Sequence, residues 1–155
     1  RSGIRPAGLG RPEKARPRVT TVVLDASAAL AWLLPSQATA SASRLLELAD
    51  GYDFIAPDIF TWEVANVLVT RARRQGGVPG QALKLLDAVE IELDAALESD
   101  GIRQLMEVSL VAGISLFDAA YLGLAVEREA WLASRDVPLL SAAIAAGVDV
   151  LDLRD

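Results

Sequence analysis

The chain of 155 residues contains no cysteine and no histidine. Without cysteine there are no disulfides, no thiolate nucleophile and no thiolate zinc site, and the redox compartment is left open. Without histidine, imidazole serves neither as general base nor as metal ligand. Any catalytic metal is therefore held by oxygen, which favours Mg²⁺ or Mn²⁺ over zinc. Aromatics are scarce, 5% against 52% for all hydrophobic residues, so the core is expected to be built from Ala, Val, Leu and Ile. Lysine occurs only at Lys14 and Lys84. The apolar run from Val19 to Leu34 is broken by Asp25 and Ser27 and is too short to span a membrane.

Positive charge is also thin over most of the length. Residues 1–18 carry six basic side chains (Arg1, Arg5, Arg11, Lys14, Arg16, Arg18) against Glu13, a net of +5; the whole-chain value of −6 then leaves −11 on residues 19–155. A body that acidic does not bind nucleic acid by bulk electrostatics, because phosphate affinity comes mainly from charge neutralisation. Any nucleic acid has to be met by a local basic patch and by a metal. Residues 1–18 are rich in Arg, Gly and Pro and are expected to form a flexible N-terminal extension. They have no apolar stretch after the basic start, so no secretory signal is expected there. Residues 19–155 are expected to form a single domain.

Within that domain, Thr20 to Leu24 is a short β-branched run, followed by a helix over Ala26–Leu34 that Pro35 stops. A second helix is expected over Ser36–Ala49, a short strand over Asp53–Ile55, and a third helix from Pro57 to about Gln75 that ends at Gly76-Gly77. Gly80–Val89 reads as helical, and Ile91–Leu93 is ambiguous between its tail and a strand. Helices follow over Ser99–Ala112 and from Ser115 to about Glu129. Then come a strand over Trp131–Ser134, a helix over Pro138–Ala146 and a strand over Val148–Leu151. This alternation predicts an α/β fold, a three-layer α/β/α sandwich with a mostly parallel central sheet. Ligands gather beyond the carboxyl ends of such strands, where Asp25 and Asp136 should lie.

Four acids stand out: Asp25, Glu63, Asp118 and Asp136. Three have an ordinary explanation as helix-start residues. Asp25 and Asp136 precede helices, and Ser115-Leu116-Phe117-Asp118 has the form of a capping box. Glu63 is different, set mid-helix between Trp62 and Val64, with Ile59, Asn66 and Thr70 on the same face. Either that face is simply exposed, or Glu63 points at a metal with Asn66, one turn away, steadying its carboxylate. Convergent carboxylates of this kind hold hard divalent cations.

The order and wording of these motifs resemble the PIN-domain family, and within it the VapC-type toxins of toxin–antitoxin pairs. Leu24-Asp25-Ala26-Ser27 is similar to the first acidic motif and Glu63-Val64-Ala65-Asn66-Val67-Leu68 to the second. Leu116-Phe117-Asp118-Ala119-Ala120-Tyr121-Leu122-Gly123-Leu124-Ala125 resembles the third and is the most specific. Ser134-Arg135-Asp136 matches the fourth, with Ser134 where members often carry threonine. The resemblance spans about residues 20–153.

It implies an Mg²⁺- or Mn²⁺-dependent endoribonuclease in the cytoplasm, neutralised by a VapB-like antitoxin and forming a homodimer. Asp25, Glu63, Asp118 and Asp136 would be the catalytic, metal-holding acids, and cleavage would leave a 5′-phosphate and a 3′-hydroxyl. Ser27 would contact metal-bound water or phosphate, or else face solvent. Arg71, Arg73 and Arg74 would contact RNA, or else close their helix by complementing its dipole. The Trp32 and Trp62 helices offer apolar surface for partners. The alternative is a catalytically inactive PIN-fold scaffold acting by protein–protein binding, which would be expected to lack one of the first three acids. Phosphoacceptor folds, which also place Asp after the first strand, want a second acid near Asp25 or a late lysine. This chain has Ser27 and no such lysine.

Overall fold

The computed structural model describes residues 19–155; the expected extension at 1–18 lies outside the described residues. The first strand, β1 (Thr20–Leu24), runs Thr-Thr-Val-Val-Leu, and its last three residues are wholly buried. A strand covered on both faces shows no polar alternation, which is why this one reads as a continuous apolar run. Helix α1 (Ala26–Leu33) ends just before Pro35, whose ring disfavours helical backbone in the residue preceding it.

Several boundaries differ from the sequence expectation. Helix α2 spans only Ala40–Glu47, because Pro35–Gln37 tightens into a 3₁₀ turn and Thr39 then acts as the N-cap, its Oγ1 accepting from the Ala42 amide at 3.1 Å. After β2 (Tyr52–Ala56), Pro57 and Asp58 form a turn, and α3 (Ile59–Gln75) starts two residues later than the proline suggests. Helix α4 (Pro79–Lys84) gives way to a 3₁₀ turn over Leu85–Ala88. The ambiguous Ile91–Leu93 is the edge strand β3. The remaining elements are α5 (Ser99–Ala112), α6 (Leu116–Glu127), β4 (Trp131–Ser134), α7 (Val137–Ala145) and β5 (Val150–Asp152).

All four strand pairings are parallel, in the order β3-β2-β1-β4-β5. Right-handed crossovers then place α1–α4 over one face of the sheet and α5–α7 over the other. The packing agrees: α1 touches α2 and α3, whereas α6 touches α5 and α7 as well as β1 and β4. The α5–α6 contact is close, since a Cβ on Gly123 would lie 2.8 Å from Leu105 Cδ2. The core is aliphatic, centred on Val22, Val23, Leu24, Leu132 and Leu139, with Tyr121 the largest wholly buried side chain. Trp32 turns inward, donating from Nε1 to the Ala42 carbonyl at 2.7 Å and meeting Phe54 edge-on. Trp62, by contrast, is 80% exposed. Among the described residues no single helix is long and apolar enough to cross a membrane.

From β1 the chain proceeds to β2 and β3 on one side, and later returns to β4 and β5 on the other. The reversal opens a crevice beyond the carboxyl ends of β1 and β4, the usual ligand position in open parallel sheets.

Candidate metal-binding active site

Asp25 leaves the end of β1 straight into that crevice, its amide bonded to the Ala133 carbonyl of β4 at 3.0 Å. It is 5% exposed, yet it does not cap α1. Its Oδ2 instead accepts two hydroxyl protons, from Ser27 Oγ at 2.7 Å and Ser134 Oγ at 2.7 Å. Each serine is held in turn by a backbone amide: Arg135 N donates to Ser27 Oγ at 3.0 Å and Asp136 N to Ser134 Oγ at 2.9 Å. With both hydroxyl protons committed to Asp25, the 3.3 Å approach of the two Oγ atoms is a contact and not a hydrogen bond. Ser27 therefore does not merely face solvent. Burial raises the Asp25 pKa, the two serine bonds pull it back down, and the charge of Asp136 raises it again.

The other three acids surround this fixed carboxylate. Asp118 lies in the first turn of α6, where its amide donates to Ser115 Oγ at 3.0 Å. That is half of a capping box; the carboxyl group turns toward Asp136 and Asp25. Burial, then the charges of Asp136 and Asp25, push its pKa up to about 7. Asp136 leaves β4 without capping α7. Glu63 is half-buried, not exposed, and its Oε1 is sealed from water with no protein hydrogen-bond partner. Burial raises its pKa, opposed by the Tyr121 hydroxyl and reinforced by the charge of Asp25.

Every one of the four thus lies in the field of at least one other. Among the described residues the ion pairs are Arg103–Asp100, Arg128–Asp94 and Arg154–Asp152, none of which involves this set. The nearest arginine in sequence, Arg135, sends Nη1 to Gln37 Oε1 at 3.3 Å. Concentrated carboxylate oxygen without a cationic side chain is the donor chemistry of a hard divalent ion. Among the described residues no three acidic side chains form a ready ligand cluster. Like charges repel one another, and a bound cation would offset that repulsion.

The family model for the PIN domain matches residues 22–145. The chain belongs to the PIN-domain family. Solved structures share the fold at low identity. The Pyrobaculum aerophilum protein PAE2754 has 18% identity and a TM-score of 0.64, with 86% of this chain and 91% of that one covered. VapBC2 from Rickettsia felis, bound to a DNA fragment from its promoter, has 13% identity and a TM-score of 0.64, covering 87% and 100%. Mycobacterium tuberculosis VapC20, described as a Sarcin-Ricin loop cleaving toxin, has 19% identity and a TM-score of 0.56, covering 78% and 94%. No curated protein matches the chain.

In this PIN domain the remaining sequence candidates stand apart from the acids. Asn66 is exposed and, among the described residues, makes no hydrogen bond to Glu63. It borders a shallow depression with Thr70, Arg71 and Arg74. Arg71 donates from Nη1 to Ser36 Oγ at 2.6 Å, tying α3 to the turn after α1. At 1.5 Å per residue, Arg71 to Arg74 lie roughly 12–17 Å along α3 from Glu63. Two residues escaped the sequence reading: Arg135, whose Nε is buried without a partner, and Tyr121. Tyr121 carried a usable signal, since it follows Asp118 by three positions and shares its helix face.

Proposed function

We propose that this PIN domain is a metal-dependent endoribonuclease of the VapC toxin type, restrained by a VapB-like antitoxin. The observation that carries the reading is the set Asp25, Glu63, Asp118 and Asp136, four carboxylates at one sheet edge with no basic side chain among them. A bound Mg²⁺ or Mn²⁺ supplies Lewis acidity and a water ionised near neutral pH. Asp25, locked by Ser27 and Ser134, provides the fixed ligand, and Asp118, Asp136 and Glu63 complete the set. Asp118, its pKa pushed up to about 7, holds a proton in part of the metal-free population near neutral pH and would release it when a cation binds. With no histidine in the chain, the proton of the attacking water passes to one of these carboxylates. The products expected from the family are a 5′-phosphate and a 3′-hydroxyl.

RNA is favoured as substrate by the fold shared with VapC20, and an antitoxin partner by the fold shared with VapBC2. Exposed apolar side chains are available for the antitoxin and for a second copy: Trp62 on α3, and Met106, Leu110 and Val111 on α5. The inactive-scaffold alternative is disfavoured because none of the four acids is missing.

The test is cleavage of RNA by purified protein with Mg²⁺ or Mn²⁺, beside EDTA and an Asp118→Asn variant. Cleavage lost in both controls supports the reading. Equal cleavage in all three identifies a contaminating nuclease and removes the support for this site.

A further inference from the structure

Two polar atoms close to the site are sealed from solvent. Glu63 Oε1 and the Tyr121 hydroxyl are both cut off from solvent, and neither has a protein hydrogen-bond partner. Such atoms are rare in folded proteins and costly. Tyr121 is wholly buried, so its ring is fixed by packing and its hydroxyl cannot swing out to water. The Ala26 amide, at the start of α1, and the Glu63 carboxyl both lie near the hydroxyl, neither with hydrogen-bond geometry to it in this structure. An amide N–H can only donate, so of these two neighbours the Glu63 carboxyl is the acceptor for the phenol proton.

We propose that Tyr121 is a positioning residue: its hydroxyl donates to one oxygen of Glu63 and turns the other toward the cation. This rests on the metal-site reading above. It also gives Glu63, which stands mid-helix on a long side chain, the outer support that Asn66 does not provide. Ligand carboxylates are commonly held in this way, and losing such a partner weakens metal affinity by about 10–100-fold. A tyrosine that served only as core filling would behave otherwise. Its hydroxyl would be a buried liability, and phenylalanine would replace it with no effect on metal.

The test is Mn²⁺ titration by calorimetry on the full chain, with melting curves alongside, for wild type, Tyr121→Phe, Glu63→Gln and the double variant. The proposal expects Tyr121→Phe to melt no lower than wild type without metal, yet to bind Mn²⁺ about tenfold more weakly. In the Glu63→Gln background the same change should have no further effect on affinity, because Tyr121 acts through that carboxylate. Equal Mn²⁺ affinity for wild type and Tyr121→Phe overturns the positioning role and leaves the metal site standing. An equal loss in both backgrounds overturns it too, since Tyr121 would then not act through Glu63. Failure of the wild type to bind Mn²⁺ overturns both.

Discussion

Two groups of acids in this chain respond to folding in opposite ways. At the crevice, Asp25, Glu63 and Asp118 all have raised pKa values, each through burial first and neighbouring negative charge after it. At the carboxyl terminus, Asp152 and Asp155 have lowered ones. Asp152 meets the Arg154 guanidinium at 2.6 Å, and Asp155 accepts from the Ala40 and Ser41 amides at 2.7 and 3.2 Å, at the start of α2. Near neutral pH the terminal acids stabilise the fold, and the crevice acids oppose it. A protein holds charge against its own stability where that charge has another use.

The largest effect that would sharpen this contrast is on activity. Asp118→Asn keeps the side chain's shape and removes one charge. RNA cleavage is expected to fall by about 10²–10³-fold, the scale of losing one preorganised electrostatic group. The metal-free protein should melt higher than wild type, because a repelling charge is gone. A variant that lost activity and also melted lower would mean that Asp118 is a structural cap.

The next effect is on pH dependence. The folded-state pKa of Asp118, about 7, lies above its ordinary 3.8. Between those values the folded chain holds a proton that the unfolded chain has released. This contribution to stability is complete below the lower value and lost as pH rises through about 7. Metal-free protein should therefore melt lower as pH is raised from about 5 to about 8. Saturating Mg²⁺ should flatten or reverse that trend. The terminal acids act in the other sense, their contribution present above the ordinary carboxylate value and lost on acidification through their lowered pKa values. A metal-free melting profile that rose from pH 5 to 8 would break the comparison.

Ser134→Ala comes third. It strips one donor from the buried Asp25 and leaves the partly buried Asp136 amide without its acceptor. The expected cost is about 1–3 kcal/mol in chemical denaturation. Since the Ser134 bond lowers the Asp25 pKa, the acid limb of the cleavage profile should also move to higher pH. A profile that did not move would show that Asp25 is held by Ser27 alone. Smaller still is the triple Arg71, Arg73 and Arg74 change to Ala, measured by steady-state cleavage. Placed well along α3 from Glu63, these side chains are expected to affect KM for RNA by less than about tenfold and to leave kcat unchanged. The smallest effect is that of Asp155→Ala, a drop of a few degrees at most in Tm with cleavage intact.

Much of this was legible in the chain. β1 announces itself because a strand buried on both faces must be apolar throughout, and Asp25 marks where it stops. The four acids were readable because their flanking residues match family motifs. The helix boundaries near Thr39 and Pro57 were not, since a cap and a turn residue satisfy the same helical pattern one or two positions apart. β3 was ambiguous because an exposed three-residue edge has too little buried apolar surface to declare a period. The two serines on Asp25 come from opposite ends of the chain and leave no local trace of their meeting. Tyr121 was easy to pass over, since a tyrosine in an apolar helix reads as core, which it is.

The order of the strands has a consequence for how the proposed site comes into being. A nascent chain that has emerged only through β3 carries Asp25 and Glu63, while Asp118 and Asp136 are still to be made. The exposed Gly76-Gly77 turn divides the same two pairs. Neither half can hold the full set of carboxylates, so the proposed site does not exist until the last strands are in place. Severing the chain at that turn should yield two inert fragments whose reunion, driven by a fused pair of dimerising peptides, restores a nuclease on command. Restored RNA cleavage only when both fragments are joined would bear this out.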